Sequence, residues 1–512
     1  MSTNHSIEKQ AYLTARKTLI IWGAVMIVTY ITFVLVYPLV PYIYQKGGML
    51  DLELILRIGH RPLILVYILG LGLLFFAFWR VMRTLHQFSK EFPEAGKGLR
   101  KPVLGIGILC GLILLGLYPI TALDVAVYVV NARNWALYGA NPLTVPPKTF
   151  PSDPYIRFAG EYATNTSPYG PLWETLARIP VQMGITGIAE GIVAMKVISL
   201  LAFTGMAILI GWYASQQNKE FAVGEVTALA FFALNPLVLL EAVGNGHNDM
   251  TMAAFVTLGL ILWQRGKWMW AALALALASV VKLPALIFIP IFGLSLLIDA
   301  HTWKERFLRG LGVGAITLGI FLVSYRLMGP FPNVFSGLIQ SFGRQSFSPA
   351  YTVYVIVHEL SPRLSLLILP NTRYVFLLIY ALIAAALLRR KLNLLEAGFL
   401  VYFATIYLAN AFRIWYPLWF IPFAALNLNS RTFWRTFLFS LAVEFSILSY
   451  YILWRWLLEQ WEWGLTGPLA RYWDYYKIMT PSTVLWVFTI PFLGDLVGWL
   501  RNKIKFRDEL WI

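Results

Sequence analysis

Runs of about 18 or more apolar residues recur along nearly the whole chain, and a run of that length crosses the hydrocarbon core of a bilayer as one helix. Lipid offers the backbone no hydrogen-bond partners, so each run must close its own bonds, and helices do that within a single segment. The composition agrees: 59% of the 512 residues are hydrophobic and 13% are charged, against roughly a quarter charged in soluble domains. The expected fold is therefore all-α, a polytopic membrane protein. A net charge of +16 would suit nucleic acid in a soluble chain. Here basic residues anchor cytoplasmic loops against anionic membrane lipid, and no nucleic-acid partner is expected. Cys110 stands alone inside an apolar run, which excludes an intrachain disulfide and a cysteine-based metal cluster. The aromatic content of 16%, with 20 Trp, suits interfacial belts and sugar-stacking surfaces.

The basic clusters set the topology. Lys9, Arg16 and Lys17 precede a first span at roughly 19–43, which lacks a signal-peptide cleavage pattern and is expected to stay as a span. A second span at 62–79 leads to a loop with Arg80, Arg83, Lys90, Lys97, Arg100 and Lys101, cytoplasmic by the positive-inside rule. Further spans are expected at 102–121, 191–213, 223–243, 250–264, 311–328, 364–388, 394–411, 415–428, 434–455 and 482–500. The run 268–299 is broken by V-K-L-P at 281–284 and reads as two short spans meeting at Lys282. The total is about fourteen spans, with interfacial helices in two large outer loops, 122–190 and 329–362. Three regions follow: 1–101 with a cytoplasmic segment and two extra helices, a membrane core at 102–430, and 431–512 with the last helices and a basic cytoplasmic tail. The basic clusters then share one side of the membrane, and the polar motifs share the other.

The outer side opens on T-A-L-D-V-A-V-Y-V-V-N-A-R-N-W-A-L-Y-G-A-N-P-L, residues 121–143. Asp124, Tyr128, Asn131, Trp135 and Tyr138 recur at helical spacing, with Val125, Val129 and Ala136 opposite. The pattern predicts a helix lying in the outer interface, stopped by Gly139 and Pro142. Asp124 either caps this helix or, beside hydroxyl-binding Tyr and Asn, accepts a proton from an attacking hydroxyl. In G-N-G-H-N-D at 244–249, Asn248 or Asp249 reads as a helix cap. His247 beside them suits a sugar or phosphate hydrogen bond better than a metal, since His247 and Asp249, two residues apart, make no site alone. Lys282 pairs with Glu241 or meets a lipid phosphate. Arg413 snorkels to the interface or contacts phosphate beside Trp415 and Tyr416; Arg344 and Arg373 are weaker versions of the same idea. Tyr169, Glu161 and Glu174 belong to the first outer loop, as surface residues or as ligand contacts. No P-loop, dinucleotide fingerprint or HExxH is present. An activated donor used on the outer side would have to be carried in the membrane.

Taken in order, D-V-A-V-Y-V-V-N-A-R-N-W-A-L-Y-G-A-N-P-L, S-P-Y-G-P-L-W, G-N-G-H-N-D, V-K-L-P and R-I-W-Y-P-L-W resemble the GT-C superfamily of integral-membrane glycosyltransferases. Within it they resemble the bacterial polyprenyl-phosphate-sugar-dependent α-1,6 mannosyltransferases. The resemblance implies a catalytic aspartate, here Asp124, and an inverting transfer of mannose from a polyprenyl-phosphate donor to a glycan or glycolipid acceptor. It places the active site on the extracytoplasmic side of a bacterial cytoplasmic membrane. On that reading Asp124 is the general base. Lys282, Arg413, His247 and Arg344 meet the donor phosphate, and Tyr128, Asn131, Tyr169, Asn248, Asp249 and Trp415 contact sugar or acceptor. No cofactor is expected; Asp124 lacks the acidic neighbour of many GT-C enzymes, so a divalent metal is not favoured. The rivals are a lipid-linked sugar flippase and a GT-C enzyme using another lipid-linked sugar.

Overall fold

A computed structural model describes residues 2–45, 61–92, 95–122, 124–216, 224–342, 346–449, 468–493 and 495–496. Among them there is no β-strand. The chain divides into two compact units, Met1–Asp51 with Gly72–Gly343, and Leu52–Leu71 with Arg344–Ile512. The division falls inside the 329–362 segment.

The helices bearing on unit 1 are α1 (Ser2–Val36), α2 (Leu39–Gln45), α3 (Arg61–Glu91), α4 (Arg100–Leu114), α5 (Asp124–Tyr138), α6 (Pro171–Gln182) and α7 (Ile188–Ser215). They continue with α8 (Glu225–Ala233), α9 (Asp249–Gln264), α10 (Trp268–Val281), α11 (Ile289–Ile298), α12 (Trp303–Met328) and α13 (Ser336–Phe342). Unit 2 holds α14 (Pro349–Leu360), α15 (Pro362–Ser365), α16 (Ile368–Leu388), α17 (Leu394–Leu408), α18 (Ile421–Leu426), α19 (Ser430–Phe445) and α20 (Pro468–Thr489).

Five stretches are long and apolar enough to cross a membrane: Ser6–Val36, Leu63–Glu91, Ile188–Ser215, Trp303–Met328 and Ile368–Leu388. The bent pair Glu225–Ala233 and Val238–Gly244, broken by 52°, makes a sixth if taken as one span. Shorter apolar helices at Asp249–Gln264, Trp268–Val281, Leu283–Ile298 and Leu394–Leu408 coincide with further expected spans. Of about fourteen expected spans, five or six are therefore met by helices of full length among the described residues. The expected spans at 434–455 and 482–500 lie partly outside those residues.

The third expected span, 102–121, stays helical only to Leu114. Pro119 supplies no backbone N–H and disfavours helix in the residue before it. The chain turns instead against α1 and α2: the Tyr118 N–H donates to the Tyr37 carbonyl (2.8 Å), and the Leu39 N–H to the Gly116 carbonyl (2.9 Å). This turn delivers the chain to Asp124. The break at Lys282 is as expected from V-K-L-P. Lys282 has extended backbone (φ −152°, ψ 132°) between α10 and the 3-10 turn Leu283–Ile287 that leads into α11.

Candidate active site

Helix α5 ends as its sequence predicts, with Gly139 at φ +68° after Tyr138. Its surroundings differ from the expected interfacial helix. Every residue from Asp124 to Asn134 is buried, on the valine side and the polar side alike. The helix packs against α6, α7 and the 3-10 turn Ile156–Thr164, so both faces meet protein. Its expected polar face also divides. Trp135 lies under the Arg178 guanidinium, 4.6 Å from the ring centroid. Tyr138 donates to Asp153 (2.8 Å) and stacks on Phe150. Asn131 is buried mid-helix. Asp124, Tyr128 and Asn131 remain candidates for the site.

Tyr128 marks its centre. The Tyr128 ring meets Tyr169 and Trp173 edge-on, each with centroids 4.9 Å apart. Burial, then the charges of Asp124 and Asp249, push the Tyr128 phenol well above its ordinary range, and its hydroxyl lies against Tyr169 and the Asn248 backbone. Burial and then Asp124 act on Tyr169 in the same direction. Asp249, fully buried, holds the Lys282 ammonium at 2.6 Å, and that ammonium sits 5.6 Å from the Tyr169 ring centroid. Four of the five sequence motifs thus meet in unit 1: the Asp124 helix, S-P-Y-G, G-N-G-H-N-D and V-K-L-P. The partner of Lys282 is Asp249 rather than Glu241, because the turn after Gly246 brings the start of α9 to the break between α10 and α11.

Glycines make these approaches close. The Gly170 N–H donates to the Val281 carbonyl (3.0 Å), tying S-P-Y-G to V-K-L-P. A Cβ on Gly170 would stand 2.1 Å from the Val280 carbonyl oxygen. Gly246 adopts φ +72°, and a Cβ there would press on Val125 of α5 at 2.9 Å.

The G-N-G-H-N-D turn rests on a buried network. Glu241 accepts from Thr121 Oγ1 and Asn245 Nδ2, both at 2.9 Å, and Asn245 Nδ2 also reaches Thr121 Oγ1 at 2.5 Å. His247 Nε2 lies 3.3 Å from Glu241 Oε2. Burial, then the Lys282 charge, hold the His247 imidazole neutral by lowering its pKa well below the ordinary value. Glu241 lies in a π-helical segment, Val238–Gly244, a distortion frequent at functional sites. Asn248 stands at the N-cap of α9 but makes no side-chain cap bond, so the expected cap is not formed by its amide. Among the described residues neither amide atom of Asn248 has a hydrogen-bond partner, although the side chain is fully buried.

Several contributors carried little weight in the sequence. Lys196 of α7 is fully buried and donates to the Leu117 carbonyl and to the Leu114 carbonyl (3.4 Å), at the negative end of α4. Its signal, an ionisable residue inside an apolar run, was the same as that of Lys282. Glu174 is not a surface residue: it is fully buried, Oε1 accepts from Ser167 Oγ at 2.5 Å, and Oε2 has no partner among the described residues. Burial pushes its carboxyl up to about 7 despite that bond. Ser167 Oγ also accepts the Tyr169 N–H (3.2 Å), so Glu174 holds the turn that presents Tyr169. Arg133 pairs with Asp153 at 3.0 Å and caps the Thr186 carbonyl. Burial opposes the Asp153 charge, but the Tyr155 N–H, the Tyr138 hydroxyl and Arg133 outweigh it and leave the carboxyl below its usual range. Glu161 is exposed.

The remaining candidates belong to unit 2 or lie outside the described residues. Arg413 donates to Ser346 Oγ and to the Phe412 carbonyl (3.1 Å), and Trp415 is buried. Arg373 is exposed and lies over Tyr374. Arg344 falls outside the described residues. Among the described residues no three His, Cys, Asp or Glu are gathered as a metal-binding group.

Comparison with known proteins matches residues 20–298 to a family model described as alpha-(1->6)-mannopyranosyltransferase, N-terminal domain. Among curated proteins, alpha-(1->6)-mannopyranosyltransferase A of Corynebacterium glutamicum is 27% identical over 257 residues, 48% of this chain and 50% of the relative. Alpha-(1->6)-mannopyranosyltransferase A of Mycobacterium tuberculosis is 26% identical over 200 residues, 38% of each. Alpha-(1->6)-mannopyranosyltransferase B of Corynebacterium glutamicum is 24% identical over 197 residues, 36% of this chain and 32% of the relative. The matched stretches thus span half or less of the relatives' length. No solved structure matches the chain.

Proposed function

Because the chain belongs to the alpha-(1->6)-mannopyranosyltransferase family, whose model covers residues 20–298, we propose that it is a membrane mannosyltransferase. The donor is polyprenyl-phosphate mannose, the acceptor a hydroxyl of a glycan or glycolipid, and the reaction runs at the outer leaflet of a bacterial cytoplasmic membrane. The observation that carries this reading is the gathering of Asp124, Tyr128, Tyr169 and the Asp249–Lys282 pair around one point of unit 1. It supplies a carboxylate, a cation and aromatic walls, which is what a sugar phosphate and a hydroxyl nucleophile need together.

In the proposed step the acceptor oxygen attacks the anomeric carbon from the face opposite the phosphate, inverting it. The carbon–oxygen bond to phosphate breaks, and both its electrons leave with the polyprenyl phosphate. Asp124 takes the acceptor proton. An ammonium has three donors; Lys282 directs one to Asp249 and offers another to the departing phosphate, whose growing charge it stabilises. Asn248, a buried amide with unused donors and acceptors, orients sugar hydroxyls, because leaving such a group unpaired costs about 1–3 kcal/mol. Asp249 holds Lys282 in place. The step is proposed without a divalent metal, and transfer is expected to persist in EDTA.

The test is Asp124→Asn in the full chain, assayed with labelled polyprenyl-phosphate mannose. Transfer is expected to fall by about two to four orders of magnitude, with the unfolding midpoint in detergent unchanged. Near-normal turnover would end the assignment of the base. Label that crosses the bilayer and yields no glycosidic product would replace transfer by transport.

A further inference from the structure

A second feature of unit 1 lies on the side that the positive-inside rule assigns to the cytoplasm. Helices α4, α7 and α8 pack together there and leave a cleft of about 600 Å³ lined by Lys97, Arg100, Lys101, Leu104, Ile208 and Leu229, among others. Its two ends differ in chemistry. One carries three basic side chains. Glu225 stands 2.8 Å from Arg100 at this end, and Lys97 and Lys101 are exposed beside it. The other end is apolar and opens outward: Ile208 is 48% exposed, and Leu112 and Leu201 continue an exposed apolar surface along α4 and α7. On the adjoining flank of α4, a wholly apolar trough of about 360 Å³ runs between Ile20, Ala24 and Ile27 of α1 and Pro102, Gly105, Ile106 and Leu109.

We infer that this cleft is a binding site for an anionic phospholipid, its phosphate held by Lys97, Arg100 and Lys101 and its acyl chains lying along the apolar surfaces of α4. A basic pocket between membrane helices on the cytoplasmic side is the arrangement that takes such head groups. A soluble phosphate would use the basic end and gain nothing from the exposed Leu and Ile below it. A zwitterionic lipid would use the apolar surface and gain little from the basic end. The site is separate from the proposed transfer step and stands whether or not that step is correct.

The experiment purifies the full chain in detergent with equal amounts of phosphatidylglycerol and phosphatidylcholine and counts retained lipid by native mass spectrometry. The parent protein is expected to retain phosphatidylglycerol in preference. Lys97→Gln with Lys101→Gln should weaken that preference by roughly fivefold per lysine. Both side chains are exposed, so the double variant should keep its fold. Ile208→Trp, which fills the apolar end and leaves every charge in place, should also lower phosphatidylglycerol retention. It decides the matter if the double variant does not fold. Equal retention by parent and both variants would overturn the proposal. So would displacement of the lipid by millimolar inorganic phosphate at constant ionic strength, which would assign the basic end to a soluble anion.

Discussion

Unit 1 buries Asp124, Asp153, Glu174, Glu241 and Asp249, each less than a tenth exposed. Unit 2, among the described residues, buries one carboxylate, Glu444, and is held by rings. Phe403 meets Phe399, Tyr407, Phe420, Phe439 and Phe492, and Phe439 meets Tyr407, Phe412, Phe420 and Phe488, all with centroids within 6.2 Å. The two interiors answer to different rules. Ring packing gains chiefly from buried area, with a smaller gain from edge and face geometry, and tolerates modest shifts. A buried carboxylate is stable only when a partner is placed to within a few tenths of an ångström, and losing the partner costs more than the pair contributes. The family match, residues 20–298, covers the carboxylates and leaves the ring cluster out. Demanding positions therefore lie where the proposed chemistry lies.

The largest effect expected from that contrast is at Lys282. Lys282→Met takes the ammonium away from the buried Asp249 carboxylate, which should cost about 3–5 kcal/mol. Asp249→Asn with Lys282→Met should recover much of this while transfer stays low. Unfolding midpoints of the two variants in one detergent measure the coupling. A single variant as stable as the parent would show that the ion pair does not hold the turn.

Glu174 gives the next effect, and its sign is fixed by burial. An unfolded glutamate titrates near 4.5, whereas Glu174 in place titrates at about 7. Between those values the folded chain keeps a proton that the unfolded chain has released. Stability from neutral Glu174 is thus complete below about 4.5 and is lost as pH rises through about 7. The full swing is on the order of 3 kcal/mol. Glu174→Gln cannot ionise and should flatten this part of the profile, read as unfolding midpoint against pH. A slope unchanged by the substitution would move the titrating group elsewhere.

The ring cluster should respond more mildly. Phe439→Leu keeps an apolar side chain of similar size and removes the edge and face contacts. A loss of about 1–2 kcal/mol is expected, spread over several neighbours. The pH profile that Glu174 governs should not change. An altered profile would mean that the two interiors are energetically coupled.

The same contrast explains what could be read before any coordinates. An ionisable residue inside an apolar run is visible, so Asp124, the G-N-G-H-N-D turn and Lys282 stood out. The break at V-K-L-P was equally legible, because proline and lysine both interrupt a span. The surroundings of α5 were not. Val125, Val127, Val129 and Val130 look the same whether they face lipid or protein, and only packing against α6 and α7 decides. The choice of Asp249 over Glu241 for Lys282 was hidden for a similar reason: both acids flank the same turn. Arg133 and Asp153 meet across a loop with no periodicity to announce it. Hydropathy likewise carried the third expected span on to residue 121, whereas its helix ends at Leu114.

The smallest effect separates local from tertiary stabilisation. Asn393 and Glu396 form a reciprocal cap at the start of α17: the Glu396 N–H donates to Asn393 Oδ1, and the Asn393 N–H to Glu396 Oε2, both at 2.9 Å. Asn393 is exposed and Glu396 half-buried. Asn393→Ala should therefore cost about 1 kcal/mol, with transfer and its pH dependence unchanged. If this surface substitution cost as much as Phe439→Leu, the start of α17 rather than the aromatic interior would be what holds unit 2 together.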